Sequence, residues 1–241
     1  MSKIEVGDHI SQQFNTELED IRQRVLAMGG LVEKQLANAI EALTNRNMEL
    51  AEVVVTNDYK INALEVAIDE ECNQILALRQ PAASDLRLVV AVIKTIADLE
   101  RIGDESERIG RMALQLSKSE ASRKLYGRIE PLGRNVQRML NDALDAFART
   151  DVDAAVHTWE QDYKVDEEYE GVIRQLITFM MEDPRSIPSA LDVMWSARAL
   201  ERIGDRSRNI CEYIIYLVHG RDVRHTSLEQ MQAAARAERG E

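Results

Sequence analysis

Parts of this sequence occur twice. The tripeptide Asp58–Tyr59–Lys60 returns 104 positions later as Asp162–Tyr163–Lys164, and residues 99–104 (LERIGD) return 101 positions later as residues 200–205. Because the offset shrinks by three between the two matches, the matched segments agree in length while a connection between them does not. This pattern is typical of a duplicated structural unit. The chain is therefore predicted to fold as two similar halves.

The sequence of each half predicts three helices. Asn45–Arg46–Asn47 predicts the first break, Pro81 the end of the second helix, and the polar stretch from Ser117 the end of the third. In the second half, Pro131 predicts a helix start and Gly220 a C-terminal cap. Apolar side chains of the first helix recur every three or four residues, the spacing of one buried face, at Phe14, Leu18, Ile21, Val25, Met28, Val32 and Leu36.

These boundaries predict the fold class and the domains. Only four prolines and eleven glycines interrupt the 241 residues, a composition that favours helices over sheets. Short connections make neighbouring helices antiparallel. We therefore predict an all-α protein of two tandem repeated three-helix bundles, with six long antiparallel helices. The first repeat would cover residues 1–118 and the second 131–220, with a linker over 119–130 and a C-terminal tail over 221–241.

Acidic residues interrupt the apolar faces of the predicted helices. Glu100 and Asp104 continue an apolar stripe of the third helix, and Glu201 and Asp205 take the same positions in the second half. The paired helices carry matching polar positions: Asp162 and Asp166 in the second half, and Asp58 and Asn62 in the first. Because Asn62 is not acidic, Glu65 or Asp69 is expected to supply the missing carboxylate of the first half.

Counting from the predicted loops places these acids at matching heights. Asp58 and Asn62 lie 22 and 18 residues before Gln80, while Glu100 and Asp104 lie 16 and 20 residues after Ser84. In an antiparallel hairpin these four side chains come within about one turn of each other. The second half gives the same result, so the sequence predicts one carboxylate cluster in each half.

Two interpretations of these clusters stay open. Carboxylates crowded beside an apolar face either take up protons or are neutralised by a cation, and an all-oxygen site suits a hard divalent metal or iron. Alternatively, they form ion pairs with nearby basic residues, of which Arg101, Arg202, Arg198 and Lys94 are close in sequence. Di-iron bundles use Glu-x-x-His, which none of the four histidines here provides.

Charge and cysteine content exclude several classes of function. A net charge of −12 argues against nucleic acid as a direct partner, because proteins that bind phosphate backbones present basic surfaces. Cys72 and Cys211 are isolated in sequence, which favours buried thiols in a reducing compartment over a disulfide or a zinc site. The longest wholly apolar run, residues 88–93, is too short to span a membrane, so we expect a cytoplasmic protein.

The motifs together resemble the PhoU family of phosphate-signalling regulators. The resemblance is carried by residues 58–62 (DYKIN), 78–87 (LRQPAASDLR) and 99–104 (LERIGD), and by the second copy at residues 199–214 (ALERIGDRSRNICEYI). Residues 9–22 (HISQQFNTELEDIR) are similar to the proteobacterial branch of the family. The resemblance covers essentially the whole chain and both copies of the repeat.

This resemblance implies a fold, a metal site and a function. It implies two three-helix bundles and a metal or iron cluster of unknown identity, held in the first half by Asp58, Glu100 and Asp104. Asn62 departs there from the family's acidic pattern, and we predict Glu65 as the additional ligand beside it. In the second half the implied ligands are Asp162, Asp166, Glu201 and Asp205. The implied function is negative regulation of the phosphate-starvation response. Such proteins link the ATPase subunit of the phosphate ABC transporter to a sensor histidine kinase, work at the inner face of the membrane, and often form homodimers.

Two other functions remain open from the sequence. Carboxylate-bound metal can activate water, which would make the protein a metal-dependent phosphatase or hydrolase. The helices offer no separate general base or substrate pocket for that chemistry, so we expect no enzymatic activity. The remaining alternative is a helical scaffold without metal, in which the acids are neutralised by arginines.

Overall fold

The computed structural model describes residues 6–118 and 123–224, which form eight α-helices and no β-strands. The helices of the first half are α1 (Val6–Asn45), α2 (Met48–Asn57), α3 (Tyr59–Arg79) and α4 (Ala83–Ser117). Those of the second half are α5 (Ile129–Arg149), α6 (Val152–Glu160), α7 (Asp162–Glu182) and α8 (Ile187–His219). Two short 3₁₀-helices, Arg123–Tyr126 and Pro184–Ser186, lie in the connections.

The eight helices make six long helical segments. Only Asp58 separates α2 from α3, and only Gln161 separates α6 from α7; both keep right-handed helical dihedrals. The chain therefore continues in the same direction through each interruption. At both places the backbone tightens: Ile61 N–H donates to the Asp58 carbonyl at 2.9 Å, and Lys164 N–H to that of Gln161 at 3.1 Å. Such i to i+3 bonds are typical of 3₁₀ geometry. The predicted fold of two three-helix repeats is confirmed.

Residues with a known capping preference lie at three of the helix ends. Asn47 caps α2 by accepting a hydrogen bond from Leu50 N–H at 3.1 Å, and Asp151 caps α6 by accepting one from Ala154 N–H at 3.0 Å. Gly220 ends α8 with φ of +66°, a conformation that glycine adopts without steric cost. The helix of the second half begins at Ile129, two residues before Pro131.

Parts of the predicted domain division fall outside the described residues. This is true of residues 119–122 of the predicted linker and of residues 225–241 of the predicted tail. Within the rest of the linker, residues 123–126 form a 3₁₀-helix and α5 has already begun at Ile129. The boundaries at 1–118 and 131–220 therefore stay a prediction. In the described ranges, no helix is both long and apolar enough to cross a membrane.

The two halves pack through equivalent helices. α4 lies along α8 through the middle of the molecule, and α1 packs against α5. In the α1–α5 contact, a Cβ built on Gly29 would lie 2.8 Å from Leu144 Cδ2, and one on Gly133 would lie 3.1 Å from Ile40. Gly29 and Gly133 are repeat equivalents, as are Ile40 and Leu144. The contact is therefore a symmetric one in which each half offers a glycine and receives a branched side chain.

A polar network lies within the α4–α8 contact. Asp98 is buried and accepts hydrogen bonds from Tyr213 Oη at 2.7 Å and from Arg206 Nη1 at 3.2 Å. Further along the two helices, Arg202 Nη1 donates to Glu105 Oε1 at 2.9 Å. Since a buried carboxylate without partners is strongly destabilising, these bonds favour one register of α4 against α8.

Candidate metal centre

The first acid cluster forms where α2 is interrupted. Asp58 occupies the interruption and only 7% of it is exposed. It lies directly against Gly103 of α4, since a Cβ on that glycine would come within 3.2 Å of Asp58 Oδ1. The glycine permits this close approach of the two helices, and the neighbouring residue on α4 is Asp104. The predicted meeting of α2–α3 acids with α4 acids is therefore found in the structure.

Neutral amides, not cations, bind the Asp58 carboxylate. Gln35 Nε2 donates to Asp58 Oδ1 at 2.8 Å and also to the Gly103 carbonyl at 3.3 Å. Asn62 Nδ2 donates to Asp58 Oδ2 at 3.2 Å, while Asn62 Oδ1 is buried without a hydrogen-bond partner. An unpartnered buried oxygen costs free energy that a bound cation would recover.

The other acids of the first cluster interact with each other electrostatically. Burial raises the pKa of Glu100, and the charges of Asp104 and Glu65 raise it further. Burial likewise raises the pKa of Asp104, with Asp58 next in effect. Burial also raises the pKa of Glu65, and the charge of Asp69 raises it further. Arg101 opposes these shifts but makes no ion pair among the described residues. The cluster is an electrostatically unfavourable group of acids.

The second cluster repeats this arrangement around Asp162. Asp162 begins α7 directly after the interruption at Gln161 and is 5% exposed. Its Oδ1 would lie 3.6 Å from a Cβ on Gly204, the repeat equivalent of Gly103. Burial raises the pKa of Asp162 to about 6, against the opposing charge of Arg208. Asp162 Oδ1 has no hydrogen-bond partner.

The remaining acids of the second cluster lie around Asp205. Burial raises the pKa of both Asp166 and Glu201, and Asp205 is the next cause for each. Glu201 is 9% exposed; its Oε1 accepts a hydrogen bond from Arg198 Nη1 at 2.6 Å, whereas its Oε2 is buried and unpartnered. All four predicted acids of this half thus face one site.

Two residues of the clusters were not predicted. Gln35 comes from α1, outside the repeated acidic motifs, and its repeat equivalent is the apolar Met139. Arg208 binds Asp162 but is matched in the first half by Glu107. Of the basic residues that the sequence offered as partners, Arg198 does pair with a cluster acid, whereas Arg202 pairs with Glu105. The signal that would have identified Arg208 is this reversal of charge within a repeated motif.

The fit to a metal differs between the two clusters. Within residues 6–118 and 123–224, no three His, Cys, Asp or Glu side chains are already arranged to hold a metal ion. In the first cluster the donors are nonetheless all oxygen, its acids lack an ion-paired arginine, and Asn62 Oδ1 is unpartnered. In the second cluster Arg198 and Arg208 already occupy carboxylate oxygens. The second cluster nevertheless keeps two unpartnered carboxylate oxygens, Asp162 Oδ1 and Glu201 Oε2. Metal binding stays a prediction for both halves, and the difference between them is the presence of competing arginines in the second.

Comparisons with known proteins agree with the fold and the repeat. A family model described as the PhoU domain matches residues 25–113 and again residues 129–214. The phosphate-specific transport system accessory protein PhoU of Serratia marcescens is 56% identical over 225 residues, covering 93% of this chain and 92% of that protein. The PhoU homolog of Pseudomonas aeruginosa is 51% identical over all 241 residues, covering both chains completely.

Solved structures show the same architecture. The crystal structure of PhoU from Pseudomonas aeruginosa has a TM-score of 0.84 at 51% identity and covers 86% of this chain and 100% of that one. The crystal structure of the phosphate transport system regulatory protein PhoU from Streptococcus pneumoniae has a TM-score of 0.79 at 33% identity, covering 87% and 99%. Two matches to the family model, full-length relatives and the shared fold lead to one conclusion: this chain belongs to the PhoU family.

Proposed function

We propose that this protein is a negative regulator of the phosphate-starvation response. It acts as an adaptor between the ATPase subunit of a phosphate ABC transporter and a sensor histidine kinase, and thereby modulates phosphate uptake. The observation that carries the proposal is the match of both halves to relatives named as phosphate-specific transport system accessory proteins. Those names describe accessory and regulatory proteins, which supports a role without catalysis.

The proposal includes a place of action and an assembly. The protein works in the cytoplasm, at the inner face of the membrane where the transporter ATPase and the kinase meet, and it works as a homodimer. A long helical surface suits an adaptor, because helices of this length expose extended faces to several partners at once. The net charge of −12 supports protein partners over nucleic acid.

The acid clusters have a regulatory role in this proposal. Asp58, Glu65, Glu100 and Asp104, with Asn62, hold a hard divalent metal or iron between the second and third helical segments of the first half. A bound cation supplies positive charge to carboxylates that otherwise repel each other. The chain's own residues then hold α3 against α4, so the shape of that face depends on the cluster being neutralised.

Capture of the two partners tests the adaptor role. A tagged copy of the chain is expressed in cells grown in high or low phosphate. The tagged protein is captured from solubilised membranes, and the transporter ATPase and the kinase are measured in the captured material. We expect both partners to be captured with the wild-type chain in high phosphate. The Glu100→Gln/Asp104→Asn variant should capture less of either partner. Glu130→Gln changes an exposed acid of α5, a helix that contributes no acid to either cluster, and should behave as wild type. Capture of neither partner in both conditions would refute the adaptor role.

A further inference from the structure

The side chain of Arg208 lies inside the second acid cluster and contacts several of its groups. Its Nη1 donates to Asp162 Oδ2, its Nη2 lies 3.7 Å from Asp205 Oδ1, and its Nε lies 4.0 Å from Glu212 Oε1. Its guanidinium carbon also lies 5.8 Å from the centre of the Trp159 ring. Three carboxylates and one aromatic face therefore surround a single positive charge. A guanidinium on an aromatic face beside carboxylates is a stable arrangement for arginine.

The support for Arg208 is specific to the second half. Trp159, whose ring lies against the Arg208 guanidinium, also donates a hydrogen bond through Nε1 to Glu212 Oε1 at 3.1 Å. The repeat equivalents of Trp159 and Glu212 in the first half are Val55 and Arg111. The two halves therefore share the acids but not the residues that hold a guanidinium beside them.

The first half has the opposite charge at this position. Glu107 is the repeat equivalent of Arg208, and its carboxylate pairs with Arg111 at 2.6 Å. Its charge also raises the pKa of Asp104, although burial and the charge of Asp58 have larger effects on that pKa. Within residues 6–118 and 123–224, Asp58, the equivalent of Asp162, accepts side-chain hydrogen bonds only from the amides of Gln35 and Asn62. One cluster thus carries an arginine that pairs directly with its acids. At the equivalent place the other carries a Glu107–Arg111 ion pair, whose arginine acts on Asp58 only electrostatically.

We infer that the two acid clusters of this protein are neutralised by different cations: a metal ion from solution in the first half, and the side chain of Arg208 in the second. This inference rests on the metal-binding part of the proposed function. A metal ion in the second cluster either displaces the guanidinium from Asp162 and Asp205 or binds beside it at the unpartnered oxygens Asp162 Oδ1 and Glu201 Oε2, where the two cations repel each other. The free energy of breaking the guanidinium contacts, or of this repulsion, is subtracted from metal affinity there. The second cluster is consequently the weaker site.

Mn²⁺ titration followed by electron paramagnetic resonance of the free ion tests this inference. The wild-type protein should show one tighter class of sites, lost in Glu100→Gln/Asp104→Asn and kept in Glu201→Gln/Asp205→Asn. Arg208→Gln should tighten binding at the second cluster by about tenfold or more, since one positive charge next to the metal is removed. Arg134→Gln is the matched control: it removes an exposed arginine that pairs with Glu130 on α5, a helix that contributes no acid to either cluster.

Trp159 provides a second readout that is local to Arg208. In a Trp195→Phe background, Trp159 is the sole tryptophan. Its emission should stay constant while the tighter class fills, and should change only in the weaker phase, when the guanidinium leaves the ring. In Glu100→Gln/Asp104→Asn, the tighter phase should vanish while the Trp159 phase remains.

A charge reversal in the first half tests the same inference even if the Arg208→Gln variant does not fold. Glu107→Arg places a cation at the equivalent position and should weaken the tighter class by about tenfold or more. Charge reversal at the exposed Glu130 of α5 should leave the tighter class unchanged. Two equal classes in the wild-type protein, or an unchanged titration in Arg208→Gln, would overturn the inference while leaving metal binding intact. Absence of any Mn²⁺ binding would overturn both, irrespective of the partner capture described above.

Discussion

Two adjacent glycines of α1 should respond in opposite ways to the same substitution. Gly29 faces α5, where an added Cβ would lie 2.8 Å from Leu144 Cδ2 and 3.0 Å from Leu144 Cδ1. Gly30, the next residue of the same helix, is exposed, and an added Cβ there has no atom within 4 Å. Replacing glycine by alanine inside a helix raises stability by about 1 kcal/mol through the backbone entropy of the unfolded chain.

The contact with Leu144 decides the difference between the two variants. Leu144 is 6% exposed and has little room to move, and forcing an extra methyl into a packed contact costs about 1–3 kcal/mol. Gly30→Ala should therefore be stabilised by about 1 kcal/mol, and Gly29→Ala destabilised by about 0–2 kcal/mol. Urea unfolding followed by circular dichroism measures both values, provided that the slope with urea is unchanged.

A double-mutant cycle locates the cause. Leu144→Ala alone should cost about 2–5 kcal/mol, as other buried leucines do. In the Gly29→Ala background it should cost at least about 1 kcal/mol less, because the new methyl then fills part of the space that the leucine vacated. If Gly29→Ala stabilised the protein as much as Gly30→Ala, the close packing of α1 against α5 inferred from this contact would be refuted.

Other parts of the structure give three further expectations. In urea unfolding, Asp98→Ala should destabilise the protein by about 2–3 kcal/mol and Tyr213→Phe by about 1–2 kcal/mol. The loss is larger for Asp98→Ala because only that variant leaves the Arg206 guanidinium without its carboxylate. Equal losses would contradict the network. Because the pKa of Asp162 is raised to about 6, its contribution to stability is present below pH 4 and lost as pH rises through 6. Asp162→Asn in chelator should therefore remove up to about 3 kcal/mol of the decline in unfolding free energy between pH 4 and pH 7; an unchanged decline would exclude this assignment. Burial raises the pKa of the Cys72 thiol to about 12, and it also raises the pKa of the Cys211 thiol. Ellman's reagent should therefore label both only on unfolding, and fast labelling of the folded protein would contradict their burial.

Much of this fold follows from patterns that act locally. Apolar residues at helical spacing predicted the long segments, and Asn47, Pro81 and Gly220 marked their ends, because each has a backbone or side-chain preference that works without tertiary contacts. The height of the acids also followed from the sequence, since antiparallel hairpins with short loops leave little freedom in register.

The interruptions at Asp58 and Gln161 did not follow from the sequence. Neither position has a glycine or proline beside it, and both keep helical dihedrals, so no local signal marks them. Each is a change of hydrogen bonding from i+4 to i+3 at the point where the segment meets the central helix. Such a change depends on what the opposite helix offers, which for both halves is a glycine, Gly103 or Gly204.

The residues that bind the cluster acids could not be predicted, for a different reason. The carboxylates and the glycines occupy positions at which the two halves agree, and this agreement is what identifies them in the sequence. Gln35 and Arg208 lie at positions where the halves disagree, against Met139 and Glu107. Agreement between repeats therefore located the clusters, but the chemistry that distinguishes them is recorded in the disagreements.

The difference between the halves has a consequence for how each depends on its surroundings. A buried carboxylate needs a hydrogen bond, a proton or a cation, and a cation attached to the chain is present at any metal concentration. Asp162 has such a cation in Arg208, whereas Asp58 has amides and the acidic neighbours Glu100 and Asp104, and Arg111 acts on it only electrostatically. If the first cluster binds the proposed metal, the packing of α3 against α4 responds to the supply of that metal. The packing of α7 against α8 is then the less sensitive of the two, because the protein supplies the cation there itself.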